Sequence, residues 1–138
     1  PDYIAQSYLA WDNEEYTCGV FRSKNKEVRT IIFKRKLHGD YTGFGIISEN
    51  IHIKEILFSI AECIDLCGSI NVQLRLSEKG PCVFEINPRF SSTVYFRHLF
   101  GFQDVIWSIE DVLNIKIGDY IPPPVGKRFY KGYTEYVE

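Results

Sequence analysis

Methionine, Cys-x-x-Cys spacings and a surplus of basic residues are all absent from this 138-residue sequence. Its 16 Lys and Arg against 18 Asp and Glu give a formal charge of −2, so we expect no nucleic-acid and no membrane-surface partner. No run approaches the roughly 18 consecutive apolar residues of a spanning helix, and no signal peptide opens the chain, so we expect a soluble, cytoplasmic protein. Because the chain begins at Pro1 and lacks methionine, we expect an excerpt of a longer protein.

Apolar and aromatic residues are plentiful, at 45% and 15% of positions, which excludes a disordered chain. Ten glycines and six prolines exclude a collagen-like one. The length predicts one domain over residues 1–138. The four cysteines stand in or near apolar runs, and we expect buried free thiols rather than a zinc site. They are Cys18, Cys63, Cys67 and Cys82.

The spacing of hydrophobic residues predicts an α+β fold, an antiparallel sheet with helices packed on one face. Residues 51–67 carry apolar side chains three and four apart, which is typical of a helix with one buried face, and Ser48 or Asn50 can cap it. The run HGDYTGFG at 38–45 is too short and irregular for a strand and suits a mobile flap. Strands are predicted at 15–22, 28–37, 69–77, 81–87 and 128–137, and further helices at 92–99 and 104–114.

The most informative segment is the predicted hairpin SINVQLRLSEKGPCVFEINPRF. Pairing Ser77 with Pro81 across a three-residue turn sets a register, and side chains then alternate between two faces. One face is wholly apolar and is predicted to be core; it carries Val72, Leu74, Leu76, Cys82, Phe84 and Ile86. The other face is polar and carries Asn71, Gln73, Arg75, Glu85 and Asn87.

Three oxygen-bearing side chains, from Gln73, Glu85 and Asn87, converge on the polar face, because directly opposite Cβ atoms lie about 4.5 to 5.5 Å apart. Magnesium prefers oxygen ligands and is commonly held by one or two carboxylates together with substrate phosphates. Arg89 follows just past the strand and suits bidentate contact with phosphate or carboxylate. The spacing alone leaves two interpretations open, a metal and phosphate site or an ordinary solvated sheet face.

VFEINPRF, preceded by NVQL after an amphipathic helix, resembles the C-terminal lobe of the ATP-grasp ligases, whose signature is Glu-x-Asn-Pro-Arg. It is most similar to carbamoyl-phosphate-synthetase-like members, in which Asn-Val-Gln precedes the acidic strand. YIAQSYLAWDNEEYTCGV also resembles the family's hinge and first strand. The resemblance implies that residues 1–138 are the C-terminal half of an ATP-grasp domain, with the upstream lobe outside this chain.

Site residues follow from this resemblance position by position. It implies that Gln73, Glu85 and Asn87 are magnesium ligands, with Mn²⁺ as an alternative ion, and that Arg89 is catalytic and contacts the transferred phosphoryl group. Asn71 is expected to face the same pocket.

Nucleotide contacts are implied in the same way. Glu15 matches the ribose-binding glutamate, and backbone groups of Tyr8 and Leu9 match those that bind adenine. Phe84 matches a residue that packs against the base, and Lys34 or Arg35 is expected to reach ATP or substrate. The segment YFRHLFG leaves Arg97 and His98 with two interpretations, an acceptor-site contact or a surface helix position.

The resemblance implies an ATP-dependent ligase that activates a small carboxylate as an acyl phosphate and passes it to an amine or ammonia. Its partners are then ATP, those substrates and the upstream lobe, and the isolated chain is expected to be inactive. A non-catalytic nucleotide- or protein-binding module that retains the fold is the alternative.

Overall fold

An inner strand with both faces buried organises the sheet, and the chain is described by a computed structural model over residues 3–9, 14–39 and 41–132. In chain order the elements are β1 (Glu15–Arg22), β2 (Val28–His38), β3 (Tyr41–Ile47), α1 (Ile51–Cys63), β4 (Gly68–Ser77), β5 (Gly80–Asn87), α2 (Val94–Leu99), α3 (Asp104–Val112) and β6 (Arg128–Tyr130). Within the described ranges the six strands form one antiparallel sheet in the order β5-β4-β1-β2-β3-β6.

The predicted α+β antiparallel class is confirmed, but the helices divide between the two faces of the sheet instead of packing on one. Alternation along β1 is the reason, since Cys18 and Val20 face one way and Phe21 the other. Helix α1 covers the first of these faces through Ile53, Leu57 and Ala61. On the second face, α3 and the residues before it pack Phe102 and Trp107 against Phe21, Ile31 and Phe33.

The run at residues 38–45 was expected to be a mobile flap, and this expectation is wrong. Most of it forms β3, which pairs with β2 on one side and with β6 on the other. The last glycine of the run, Gly45, is required by packing, because a Cβ placed there would overlap the ring of Phe129. A glycine there lets the aromatic ring cross the strand, a use of glycine that composition cannot separate from a flexible loop.

The β4–β5 hairpin has the predicted pairs Gln73–Glu85 and Asn71–Asn87. The predicted pair of Ser77 with Pro81 is wrong, because Ser77 pairs with Gly80 across a two-residue turn. Gly80 has a φ of 103°, in the left-handed region that glycine enters at little cost. The turn is one residue shorter than predicted, and the extra residue forms a β-bulge in β5 opposite Gln73 and Leu74, which restores the predicted pairs beyond it.

That bulge corrects the predicted position of Phe84. Val83, not Phe84, packs against the core cluster under α1. Phe84 lies on the polar face, where the guanidinium carbon of Arg75 is 5.9 Å from its ring centroid. A one-residue shift in a strand moves a side chain to the other face, and here it adds an aromatic ring to the polar side.

Smaller differences concern element ends and cysteines. Asn50 caps α1 by accepting from the backbone N–H groups of residues 52 and 53. The helix ends at Cys63, four residues earlier than predicted, and Asp65 follows with a φ of 46°. Cys63 and Cys67 are therefore exposed, contrary to expectation, and only Cys18 of the four is fully buried.

The predicted last strand shortens to β6, and its residues 133–137 lie outside the described part of the chain. In the ranges that the structure describes, no helix has the length and apolar character needed to cross a membrane.

Replacing Gly45 with Ala is expected to lower the free energy of unfolding by about 1–3 kcal/mol, because the added Cβ overpacks the contact with Phe129. Urea unfolding measures the change. Gly118→Ala is the matched control, since no atom of the described residues lies within 4 Å of a Cβ placed there, and its effect should stay within about 0.5 kcal/mol. Equal unfolding midpoints for the two variants would contradict this account of β3.

Candidate functional site

A cavity of about 440 Å³ opens on the sheet face that α2 and α3 leave partly uncovered. Strands β1, β2, β4 and β5 form its floor, and residues 6–9 form one wall. Seven residues to which the sequence assigned a ligand contact line it together: Tyr8, Leu9, Glu15, Arg35, Gln73, Phe84 and Glu85.

The floor of the cavity is built around the carboxylate of Glu15, which two arginines hold from opposite sides. Nη2 of Arg35 lies 2.6 Å from Oε1 of Glu15, and Nη2 of Arg75 lies 2.6 Å from Oε2. Glu15 and Arg35 are 12% and 10% exposed, so the cluster is largely shielded from water. One carboxylate offsets one guanidinium, so these three side chains keep a net positive charge, which the carboxylate of Glu85 in the same cavity offsets.

Two opposing effects set the ionisation of Glu15. Burial raises its pKa, but hydrogen bonds from Arg75 and Arg35 outweigh the burial and hold the pKa below the ordinary value. Glu15 is therefore ionised at neutral pH.

The three predicted metal ligands lie side by side at the edge of this cluster. Gln73 is directly opposite Glu85, and Nδ2 of Asn87 donates to Oε1 of Glu85 at 2.6 Å. Oε1 of Gln73 accepts a hydrogen bond from Nη2 of Arg35. One carboxylate and two amides on neighbouring positions are a donor set that fits Mg²⁺ with phosphate as a co-ligand.

Carboxylates alone do not make a cation site here. In the described ranges no three His, Cys, Asp or Glu side chains converge on a point that a metal could occupy. A cation site here would therefore need other oxygen donors beside Glu85, and the amide of Gln73 lines the same cavity, whereas Asn87 lies next to Glu85 outside its lining.

Asn71 lies on the same sheet face but is covered, with an exposed fraction of 1%. Its Oδ1 accepts from Oγ1 of Thr17 at 3.0 Å and from Nη2 of Arg97. The expectation that Asn71 faces the pocket is corrected, because Arg97 lies over it.

Arg97 is itself wholly buried, which neither interpretation from the sequence anticipated. Its Nη1 lies 3.1 Å from Oδ2 of Asp104, and its Nη2 donates to Oγ of Ser91 at 2.9 Å. Burial lowers the pKa of Arg97, and the charge of Asp104 works in the opposite direction. A Cβ placed on Gly19 would lie 2.9 Å from Cζ of Arg97, so the absence of a side chain there makes room for the guanidinium.

The basic run on β2 contributes Arg35 rather than Lys34 to the cavity. Lys34 is paired with Tyr16, on the face that α1 covers, and forms an ion pair with Glu14. Strand alternation is the physical reason, and the pattern of Ile31 and Phe33 on β2 is the sequence signal for the side of Arg35.

Arg89 is not brought into the cavity. It is exposed beyond the end of β5, and its Nη1 donates to the carbonyl of Phe90 at 3.2 Å. A contact between Arg89 and a bound phosphoryl group stays a prediction.

Residues 6–9 line the cavity, and two hydrogen bonds join this segment to the floor. The carbonyl of Leu9 accepts from Nη1 of Arg75 at 3.1 Å, and Nε2 of Gln6 donates to the carbonyl of Phe84 at 3.2 Å. The Tyr8 side chain is 70% exposed. The segment thus stands beside Phe84, and adenine binding by the backbone of Tyr8 and Leu9 stays a prediction.

Comparison with known proteins places the chain in a family. A family model described as "ATP-grasp in the biosynthetic pathway with Ter operon" matches residues 1–129. The chain belongs to the ATP-grasp family, as the sequence resemblance predicted. No curated protein sequence matches it significantly.

Solved structures share the fold. The phosphoribosylaminoimidazole carboxylase ATPase subunit from Aquifex aeolicus has a TM-score of 0.69 and 14% identity, over 82% of this chain and 36% of that one. The N5-carboxyaminoimidazole synthetase from Staphylococcus aureus, complexed with ADP, has a TM-score of 0.65 and 18% identity, over 82% and 32%. An L-amino acid ligase from Bacillus licheniformis has a TM-score of 0.59 and 15% identity, over 74% and 30%.

At identities this low, these likenesses show the fold alone. This chain spans about a third of the length of each of these three structures.

The pH dependence of stability tests the Glu15 cluster. A carboxyl whose folded-state pKa is lowered stabilises the fold above the unfolded-state pKa of about 4.3, and this stabilisation is lost as the pH falls through the folded-state value. We expect the free energy of unfolding to fall more steeply in the wild type than in Glu15→Gln between about pH 5 and pH 3. Urea titrations at each pH measure both.

Glu14 is the internal control, because a hydrogen bond from Lys34 also lowers its pKa and it is present in both proteins. Parallel curves would show that Glu15 is not held as described.

Proposed function

We propose that this chain is the ATP- and magnesium-binding C-terminal lobe of an ATP-grasp ligase that joins a small carboxylate to an amine or ammonia. One observation carries the proposal: a single cavity combines an oxygen donor set, two guanidiniums and an aromatic ring. Family membership supports ATP as the nucleotide. The similar solved structures named a ligase and a synthetase agree with this class.

The metal ligands in this proposal are Gln73, Glu85 and Asn87. They would hold Mg²⁺, or Mn²⁺ in its place, and the ion would supply charge neutralisation beside the phosphates. Asn87 can present Oδ1 while its Nδ2 stays on Glu85, which keeps the carboxylate oriented toward Gln73.

Nucleotide binding falls to the other lining residues. Phe84 offers a ring face for adenine, and the backbone of Tyr8 and Leu9 offers hydrogen bonds to its edge. We keep the ribose contact for Glu15; because each of its oxygens already accepts two hydrogen bonds from an arginine, a ribose hydroxyl has to replace one of these donors. In place of Lys34, we assign the phosphate contact to Arg35, because Lys34 lies on the other face of the sheet.

In the proposed reaction the substrate carboxylate attacks the γ-phosphorus, the bond to the β-phosphate oxygen breaks, and ADP leaves. The amine or ammonia then attacks the acyl phosphate, and inorganic phosphate leaves. Arg89 would donate to the transferring phosphoryl oxygens, which requires its exposed side chain to turn toward the cavity. The carbamoyl-phosphate-synthetase-like subtype rests on the Asn71-Val72-Gln73 run opposite Glu85.

The other half of the nucleotide cleft is assigned to an upstream ATP-grasp lobe of the same protein. This agrees with the length of the similar structures, of which the chain spans about a third. The isolated chain is then expected to bind Mg·ATP weakly and to turn nothing over. A cytoplasmic location stays a prediction from the sequence.

One observation favours the alternative, a non-catalytic module that binds a nucleotide or a protein: Arg89 lies outside the cavity. A full-length protein that binds Mg·ADP but consumes no ATP with any mixture of carboxylates and amines would support this alternative.

Glu85→Gln is expected to weaken Mg·ADP binding by about 10- to 100-fold, because it removes the only charge from the proposed metal ligands. Calorimetric titration of Mg·ADP into the full-length protein measures the effect. Glu78→Gln is the matched control, since Glu78 is exposed in the turn of the same hairpin, and its affinity should equal that of the wild type. Equal affinities for the two variants would remove Glu85 from the site.

A further inference from the structure

Arg35 binds two groups that the proposed function assigns to different ligands. Its Nε and Nη2 donate to Oε1 of Glu15 at 2.8 and 2.6 Å, and Nη2 also donates to Oε1 of Gln73. Its Nη1 donates to Oγ1 of Thr42 at 3.2 Å. The guanidinium therefore spans β1, β2, β3 and β4 and occupies the oxygen through which Gln73 would bind a metal.

This contact opposes cation binding. A divalent ion on Oε1 of Gln73 would sit about 2 Å from that oxygen, and so about 4 Å from the Nη2 of Arg35. At this distance the cation and the guanidinium repel each other strongly, because the cavity is shielded from water. The guanidinium also already uses one lone pair of Oε1 of Gln73. Arg35 has to leave Gln73 before Gln73 can bind a cation well.

A polyphosphate can draw Arg35 away. Guanidinium and phosphate form bidentate, charge-assisted hydrogen bonds that are stronger than a bond to a neutral amide oxygen. Because the guanidinium is rigid and planar, it moves as one group. Turning from Gln73 to a phosphate oxygen therefore also weakens its hydrogen bonds to Glu15 and Thr42, and the phosphate contacts have to offset this loss.

We propose that Arg35 makes cation binding at Gln73 conditional on a polyphosphate in the same cavity. The inference rests on the proposed function and specifies its order: the phosphates engage Arg35, Gln73 is released, and the cation is then bound by Gln73, Glu85 and the phosphates together. Because such coupling is reciprocal, the cation raises the affinity for the polyphosphate by the same factor.

Arg75 provides the matched control. It lies on the other oxygen of Glu15, with Nη2 at 2.6 Å from Oε2, and Nη1 donates to the carbonyl of Leu9. Arg75→Gln removes one positive charge from the same cavity but leaves Arg35 on Gln73. A comparison of Arg35→Gln with Arg75→Gln thus separates the specific hydrogen bond from the general loss of charge.

The test is Mn²⁺ binding to the full-length protein, followed by electron paramagnetic resonance, with Mn²⁺ alone and with ADP. We expect Arg35→Gln to bind Mn²⁺ alone about tenfold more tightly than the wild type, the equivalent of one charged hydrogen bond. Arg75→Gln removes an equal charge without freeing Gln73, so its gain should be clearly smaller than that of Arg35→Gln. ADP should strengthen Mn²⁺ binding strongly in the wild type and much less in Arg35→Gln, after correction for Mn²⁺ held by free ADP.

The outcomes separate the two proposals. Equal gains in Arg35→Gln and Arg75→Gln, or no gain in either, overturn the role of Arg35 while ADP-dependent Mn²⁺ binding keeps the proposed function intact. Absence of Mn²⁺ binding in the presence of ADP, in the wild type and in both variants, overturns the proposed function and the inference with it.

A measurement on the wild type alone tests the inference even if the variants fail to fold. In NMR spectra, metal-free ADP is expected to shift the Nε–H signal of Arg35 and the side-chain amide of Gln73, and Mg²⁺ alone is expected to leave both in place. An equal shift of the Gln73 amide with Mg²⁺ alone would overturn the inference.

Discussion

The carboxylate of Glu15 ties three strands together at the open end of the sheet. It stands on β1 and bonds Arg35 of β2 and Arg75 of β4, so two charged side-chain contacts add to the backbone pairing of these strands. Arg75 also holds the carbonyl of Leu9. The floor and one wall of the cavity therefore share a single anchor, which is charged at neutral pH because the two arginines lower its pKa.

The same sheet face changes character along its length. One half is sealed by aromatic packing of α3 against β1 and β2, and the other half is the cavity. The boundary is the buried group of Arg97, Asp104 and Asn71. Among the described residues, Nε of Arg97, Nδ2 of Asn71 and Oδ1 of Asp104 have no hydrogen-bond partner. A buried ion pair is weak evidence for stability. Arg97 instead fixes positions, because it joins α2 and Ser91 to β4, the strand that carries Gln73.

Much of this arrangement followed from the sequence, and what did not has identifiable causes. Alternation of apolar and polar residues predicted β1, β4 and β5. It also predicted the pair of Gln73 with Glu85, because only one register of the β4–β5 hairpin puts all the apolar side chains at this end on one face. The bulge that turns Phe84 toward the cavity depends on how many residues the turn uses, which a Gly-containing turn leaves open. Strand β3 was missed because Gly45 makes room for the ring of Phe129, and the burial of Arg97 depends on Gly19 in β1.

The central claim is that one cavity holds the metal and the nucleotide on the β4–β5 face. A crystal structure of the full-length protein with Mg²⁺ and a non-hydrolysable ATP analogue tests it most directly. The account predicts the metal on Gln73, Glu85 and Asn87, adenine beside Phe84, and Arg35 on a phosphate. A nucleotide bound elsewhere, or one bound here with Arg35 still on Gln73 and the metal away from Glu85, would contradict it.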